Sequence, residues 1–161
     1  MNCYRMVAGV LVMTLVCVPT IRAQQPKKLK ISKLEAEVIK LTNKERQKVN
    51  LPPLKPNAIL FDVARKHSAN MIKQDKLAHL LDGKRILDRI KATKYHYLVV
   101  GENLAWDPNS PAVTMKDWMN SKTHRENILY KEFTEIGIGA ITDKDGYTWY
   151  TQVFGTQRPP E

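Results

Sequence analysis

The carboxylate that most needs an explanation is Glu102, which lies in the segment YLVVGENLAW, residues 97–106. The apolar run LVV predicts the end of a buried strand, and the apolar LAW follows the polar GEN directly. A carboxylate between apolar runs costs free energy unless a partner pairs with it. Glu102 is therefore predicted to face a partner, which serves either the structure or the chemistry of the protein.

The four histidines are the first candidates for that partner. His67 lies on the apolar stripe of a predicted helix, which favours a core histidine, and His96 lies between two tyrosines of a predicted strand. His79 follows a predicted helix and His124 opens a short one, and functional side chains are often placed at such ends of elements. Imidazoles in those positions can transfer protons or bind metal ions.

Several familiar catalytic motifs do not occur in the sequence. It contains no H-E-x-x-H zinc helix, no G-x-S-x-G elbow, no P-loop and no dinucleotide-binding fingerprint. Ser121 lies three residues before His124, which allows a serine hydrolase arrangement with Glu102 as the orienting acid. The same spacing is also typical of an ordinary serine at the end of a helix, so it does not decide the chemistry.

Hydrophobic spacing predicts the elements that position these residues. Helices are predicted from Lys33 onward, from an N-cap at Asn57 to about Gln74, over Ile86–Lys91, after Ser110-Pro111, and over HRENIL. Strands are predicted over YHYLVVG, EIGIGAI and YTWYTQVFG, and the last two form a hairpin through TDKDG. Helices that come first and strands that come late predict an α+β fold, a single domain with an antiparallel sheet.

The N-terminal residues 1–23 are predicted to be a secretory signal peptide. Arg5 precedes an apolar run over residues 6–18, which is short for a membrane span. An uncleaved anchor is the alternative. The two cysteines of the chain, Cys3 and Cys17, both lie in this segment. A secreted mature chain without cysteine must be held together by its core alone.

The mature chain is predicted to be strongly basic. The whole chain has a net charge of +10, and residues 1–23 carry two arginines and no acidic residue, which leaves +8 on residues 24–161. Such a charge favours contact with anionic envelope polymers. The basic segment 24–33 contains KKLKISK, which is too short for a nucleic-acid module. We expect the protein to bind no specific nucleic acid and to be a monomer.

Several motifs occur in the order found in the CAP superfamily. LTNKERQKVNLPPL, DVARKHSANMIKQDKLAH, GENLAW, DWMNSKTHRENIL, EIGIGA and YTQVFG together resemble this superfamily of cysteine-rich secretory, antigen 5 and pathogenesis-related proteins. A cysteine-free mature chain is similar to its compact bacterial branch, the SCP-domain proteins. The resemblance implies a CAP-type α-β-α sandwich over residues 34–155, followed by a tail over residues 156–161.

The resemblance also implies a cleft with two histidines and two acids. By motif position His79 and His124 resemble the two histidines, and Glu102 resembles the acid of the G-E-N motif. Where the second acid of the family falls, this chain has NSK, residues 120–122. Glu126 is the nearest carboxylate, and it also suits the N-terminal turn of a helix.

Two interpretations of this cleft follow from the resemblance. His79, His124 and Glu102 would form a zinc site with an open position for water, or a hydrogen-bonded cluster that seats the carboxylate. The first makes the chain a secreted binding domain for a divalent metal, a lipid-like molecule or an envelope ligand. A metal-assisted hydrolase and a structural envelope protein are the alternatives, and whether the chain is an enzyme stays open.

Three further residues near these motifs are predicted to be scaffold. Asn103 and Asn127 are predicted to tie loops to the backbone through their amides. Trp118 is predicted to lie in the core with its indole N–H bonded.

Overall fold

The computed structural model describes residues 29–107 and 110–159, and five helices and four strands lie within them. The helices are α1 Lys33–Lys48, α2 Ala58–Gln74, α3 Ile86–Lys91, α4 Pro111–Asn120 and α5 Lys122–Ile128. The strands are β1 Lys55–Pro56, β2 Tyr97–Asp107, β3 Glu135–Thr142 and β4 Thr148–Gln157. The predicted signal peptide, residues 1–23, lies outside the described residues.

The four strands form one sheet in the order β1-β3-β4-β2. β4 is antiparallel to both β2 and β3, as the hairpin prediction requires. The short β1 pairs with β3 in parallel, so the sheet is antiparallel except at this edge. β1 lies in the proline-rich segment LPPLKP, residues 51–56, between α1 and α2.

Helices cover both faces of the sheet and make an α-β-α sandwich. α2 packs against β3 and β4 on one face. On the other face a larger core joins α1, α4 and α5 to β3 and β4. Alternation along β3 separates the two layers: Ile136 and Ile138 enter the larger core, while Gly137 and Gly139 face α2. The observed class is α+β, as predicted.

Two glycines of β3 allow α2 to lie directly on the sheet. A Cβ atom added to Gly137 would come within 2.1 Å of the backbone carbonyl carbon of Leu60. A Cβ atom added to Gly139 would come within 2.5 Å of the carbonyl oxygen of Ala64. Any side chain at these positions would push the helix away from the sheet. The motif EIGIGA is therefore explained by close packing of backbone on backbone.

Polar side chains cap the starts of α1 and α2, and of these two caps only Asn57 was predicted. Ser110, the predicted cap of α4, precedes that helix but makes no side-chain cap hydrogen bond. Ser32 and Glu35 form a capping box at the start of α1. The Asn57 side chain accepts hydrogen bonds from the backbone N–H groups of Ile59 and Leu60, which confirms it as the N-cap of α2. α2 ends at Gln74, as predicted, and the residues that follow carry His79.

β2 differs from the prediction in length and burial. It continues through the GEN segment to Asp107, so Glu102 lies within a strand and not after one. Leu98 is 56% exposed, and Val99 and Val100 are only half-buried, so LVV is not the end of a buried strand. The reason is position: β2 is an edge strand, paired within the sheet only with β4.

Two smaller details differ from the prediction, whereas α1 starts at Lys33, as predicted. β4 continues to Gln157, so the predicted tail at 156–161 begins with strand residues. His96 is exposed and precedes β2, where it was predicted to be a strand residue. Among the described residues, no helix combines the length and apolar character needed to cross a membrane.

Candidate functional site

The partners of Glu102 are His79 and Arg89. The Glu102 side chain is only 2% exposed, and its Oε1 accepts a hydrogen bond from Nδ1 of His79 at 2.8 Å. Its Oε2 accepts a short hydrogen bond from the guanidinium of Arg89. The buried charge is thus paired and hydrogen-bonded on both oxygens, which is the condition for keeping a carboxylate inside a protein. The sequence predicted the histidine and missed the arginine.

Arg89 is held in place by backbone carbonyls as well as by Glu102. It lies on α3, and its Nη1 donates to the carbonyl oxygens of His79 at 3.1 Å and Lys84 at 3.0 Å. The Arg89 guanidinium therefore joins the backbone carbonyls of His79 and Lys84 to the side chain of Glu102. The signal that could have revealed Arg89 is general: a buried carboxylate needs a cation as well as a hydrogen bond.

The hydrogen bond to Glu102 determines the tautomer of His79. A carboxylate only accepts hydrogen bonds, so Nδ1 of His79 carries the hydrogen. In the neutral ring, Nε2 then keeps its lone pair. The side chain is 54% exposed, so this imidazole is oriented from inside while much of it remains accessible from solvent.

His124 lies close to His79 at the start of α5. Burial lowers the pKa of His124, and the nearby His79 lowers it further. Both effects favour the neutral imidazole near neutral pH. The structure thus brings together two of the predicted residues, His79 and Glu102, by direct contact, and places the third within electrostatic range of His79.

A chain of side-chain amides ties α5 to β2. Asn103 donates to the carbonyl oxygen of His124 at 3.0 Å and to the side chain of Gln152 at 3.0 Å. Asn127 donates to the Asn103 side chain at 2.9 Å and to the carbonyl oxygen of Glu102 at 3.2 Å. Asn103 and Asn127 act as the predicted scaffold, because they hold the backbones of Glu102 and His124 together.

The two weaker candidates do not join the cluster. Ser121 is the residue between α4 and α5, and within the described part of the chain its hydroxyl makes no hydrogen bond to His124. The Glu126 side chain is 61% exposed and lies 3.8 Å from Lys122. Glu126 therefore pairs along its own helix and does not replace the second acid.

The three-ligand zinc site does not fit this geometry. Across residues 29–107 and 110–159, no group of three or more His, Cys, Asp or Glu side chains is arranged to hold a metal ion. The physical reason is that Arg89 and His79 already occupy both oxygens of Glu102. The Glu102 carboxylate therefore orients the His79 ring through Nδ1, and it is not free to ligate a metal ion together with the two imidazoles.

We expect the stability of the fold to fall as the pH drops below about 6.5, the ordinary histidine value. The pKa of the core residue His67 is lowered, chiefly by burial; Arg89 and His79 act in the same direction, while Glu102 and a bond to Ala78 oppose them. Below that pH the unfolded chain binds a proton that the folded chain does not. The contribution of His67 to the free energy of unfolding is therefore intact above its pKa in the unfolded chain. It is lost as the pH falls toward the lower pKa of His67 in the folded chain.

Urea denaturation across about pH 5 to 8 measures this dependence. Replacing His67 with glutamine removes one titrating group and should reduce the slope of the profile, even if the variant is less stable throughout. His124, whose pKa is also lowered, accounts for slope that remains. His96→Gln, at an exposed position, should keep the wild-type profile. An unchanged slope in His67→Gln would show that other groups cause the pH dependence.

Comparison with known families agrees with the fold and with the order of the motifs. The family model of the cysteine-rich secretory proteins, CAP, matches residues 39–154. The chain belongs to the CAP family.

Two bacterial proteins are among those most similar to the chain. It is 36% identical to the protein YkwD of Bacillus subtilis strain 168 over 126 residues, which cover 78% of this chain and 48% of YkwD. An extracellular SCP-domain protein from Bacillus anthracis str. Ames has a TM-score of 0.69 at 31% identity, covering 76% of this chain and 40% of that chain. The chain thus spans about half, or less, of the length of these two relatives.

A more distant structure supports the fold alone. An outer surface protein from Borrelia burgdorferi has a TM-score of 0.75 at 20% identity. The likeness covers 83% of this chain and 100% of that chain.

Proposed function

We propose that the chain is a secreted binding domain whose cleft, bounded by His79, Glu102 and His124, takes a divalent metal ion such as zinc on its two imidazoles. The observation that carries this proposal is the hydrogen bond from His79 Nδ1 to the buried Glu102. Metal-binding histidines commonly donate their second N–H to a carboxylate in this way, which fixes the ring and increases its basicity. In this proposal Glu102 orients the metal ligand His79 and is not itself a metal ligand.

The state of both imidazoles suits this role. A metal ligand must be neutral, and the lowered pKa of His124 favours that form. The tautomer of His79 leaves the lone pair on Nε2, the nitrogen that Glu102 does not use. Bound zinc with two protein ligands would supply a Lewis acid with open positions for water or a ligand.

The pairing of Glu102 with Arg89 favours binding over hydrolysis. A general base must have a free oxygen to take up a proton, and both oxygens of Glu102 already accept hydrogen bonds from His79 and Arg89. Glu102 is also almost completely buried, with both oxygens bonded. The residues of the cleft therefore orient and hold a ligand, and the hydrolase alternative lacks a free carboxylate in the described part of the site.

Calorimetric titration of zinc into the mature chain, residues 24–161, tests the proposal. We expect one site in the wild type, abolished by His79→Ala or His124→Ala and unchanged in His96→Ala. Glu102→Gln can still accept from Nδ1 of His79 and should weaken binding by about 10- to 100-fold without abolishing it. Absence of saturable binding in the wild type, or binding that survives both alanine replacements, would contradict the proposal.

Secretion is the second part of the proposed function. It is supported by the predicted signal peptide and by a relative described as extracellular. We expect mass spectrometry of the exported protein to find an N-terminus at or near Gln24, and its melting temperature to be unaffected by reductant because no thiol remains. Recovery of Cys17 in the exported chain would instead indicate an anchored protein. The +8 charge favours retention on anionic envelope polymers.

A further inference from the structure

Arg89 and Glu102 hold His79 at both its ring and its backbone. The ring donates from Nδ1 to Oε1 of Glu102 at 2.8 Å, and the carbonyl oxygen of the same histidine accepts from Nη1 of Arg89 at 3.1 Å. Nη2 of Arg89 also donates to Oε2 of Glu102, which closes a cycle of hydrogen bonds from the His79 backbone to the His79 ring. A side chain that is bonded in this way to one ion pair has few orientations left.

The segment that carries His79 is fastened to α3 by the same guanidinium. Nη1 of Arg89 donates to the carbonyl oxygen of Lys84 at 3.0 Å as well, so it joins two points of the connection between α2 and α3. Between these points, Leu81 and Lys84 form a backbone bridge. Loss of Arg89 would therefore release the backbone of His79 together with the carboxylate that its ring contacts.

Arg89 is itself held by a well-anchored helix. Ile90, the next residue of α3, is fully buried in an apolar cluster with residues of α2 and β4. The Asp88 carboxylate accepts from the backbone N–H of Arg85 at 2.9 Å and so stabilises the first turn of this helix. The Arg89 side chain is only 13% exposed. The guanidinium is thus fixed between a docked helix and a buried carboxylate.

The cycle of hydrogen bonds requires a guanidinium and not merely a positive charge. Two nitrogens of one planar group reach the Glu102 carboxylate and two backbone carbonyls. A lysine ammonium is a compact point charge, and it does not present donors in the same rigid fork. Arg89→Lys therefore keeps the charge beside Glu102 and breaks the cycle, so that charge and geometry can be separated by experiment.

We infer that Arg89 is the positioning residue of the proposed metal-binding cleft. It sets the orientation of His79 through Glu102 and through the His79 backbone. Both Nη atoms of Arg89 are bonded within the protein, so it acts through His79 and does not hold the ligand itself. The inference rests on the proposed function for the role of His79 as a metal ligand, whereas the orientation of the ring is a property of the metal-free protein.

Nitrogen NMR of the His79 imidazole in the metal-free mature chain tests the positioning role without any metal. At a pH where the ring is neutral, we expect the wild type to hold His79 as the Nδ1–H tautomer alone. Arg89→Lys should show a mixture of both tautomers, because the Glu102 carboxylate and the His79 backbone are no longer held together. A single Nδ1–H tautomer in Arg89→Lys would overturn the inference.

Two other arginine variants are the controls for this measurement. Arg85→Lys changes an exposed arginine immediately before α3 and should leave the His79 tautomer unchanged. Arg46→Lys changes a buried arginine that donates to four backbone carbonyls at 2.9–3.1 Å elsewhere in the fold. It should lower the stability to urea and still leave the tautomer unchanged. Mixed tautomers in Arg46→Lys would refute a specific role of Arg89, since any loss of stability would then loosen His79.

Zinc titration of the same variants connects the orientation of His79 to binding. Arg89→Lys should bind zinc about tenfold or more weakly than the wild type, because loss of an outer-shell partner lowers metal affinity. Arg89→Met removes a cation that repels the metal ion, so a role through charge alone would strengthen binding, whereas a positioning role weakens it. Arg85→Lys should bind zinc as the wild type does.

The two measurements separate this inference from the metal-binding proposal. Absence of zinc binding in the wild type would contradict that proposal, and the NMR of the metal-free variants would still decide whether Arg89 positions His79. If the wild type binds zinc and both Arg89→Lys and Arg89→Met bind it at least as tightly, the positioning role is refuted while the metal site stands.

Discussion

Replacing Trp118 by alanine is expected to lower the free energy of unfolding by about 3–5 kcal/mol. The indole is 2% exposed in the larger core, and its ring meets Tyr150 edge to face with centroids 6.3 Å apart. Its Nε1 donates to the carbonyl oxygen of Leu104 at 3.0 Å, as predicted for a bonded core indole. Truncation leaves a cavity and an unsatisfied carbonyl, and urea denaturation measures the loss.

His124→Ala is the control for the loss of stability expected in Trp118→Ala. His124 is only partly buried and contributes an imidazole to the site, so its replacement should cost much less than that of Trp118. Trp118→Phe keeps most of the packing and should also be milder. If His124→Ala destabilises the domain as much as Trp118→Ala, then His124 is a structural residue and the proposed cleft loses one of its ligands.

Replacing Arg46 by alanine is expected to cost at least about 3 kcal/mol, because it strands several buried acceptors at once. Arg46 is fully buried, and its guanidinium donates to backbone carbonyls. They belong to Pro52, Ile128, Tyr130 and Phe133, at 2.9–3.1 Å. Burial lowers the pKa of Arg46, yet a guanidinium stays protonated in proteins. This side chain fastens α1 to the segment that follows α5.

Lysine cannot replace this arginine, because one ammonium cannot reach the same fork of acceptors. Arg46→Lys should therefore recover only part of the lost stability. Lys48→Ala, an exposed position in the last turn of the same helix, should stay within about 0.5 kcal/mol of the wild type. A cost for Arg46→Ala as small as that of Lys48→Ala would show that the buried carbonyls find other partners.

The local features of the fold could be predicted from the sequence because they depend on neighbours along the chain. The Asn57 cap, the short helix Ile86–Lys91 and the hairpin of β3 and β4 were all predicted from spacing and turn residues. The contact between His79 and Glu102 was predicted from the positions of the two residues in the family motifs, because those motifs occur at fixed places in the family's fold. The sequence shows only that Glu102 needs a partner.

The features that were missed depend on distant parts of the chain. Arg46 resembles a solvated cation on an amphipathic helix, and only the return of residues 128–133 buries it. Arg89 lies on a six-residue helix, and its pairing with Glu102 depends on how α3 docks on β2. Leu98 was predicted to be buried because the sequence does not reveal that β2 lies at the edge of the sheet.

The orientation of His79 is the central claim, and nitrogen NMR of its imidazole tests it most directly. In the neutral imidazole we expect the Nδ1–H tautomer of His79, with a lone pair on Nε2, because Glu102 accepts from Nδ1. Zinc should then shift Nε2 of His79 and a nitrogen of His124, while Nδ1 of His79 stays protonated. A hydrogen on Nε2 of His79 in the metal-free protein, or zinc shifts confined to other histidines, would contradict the account.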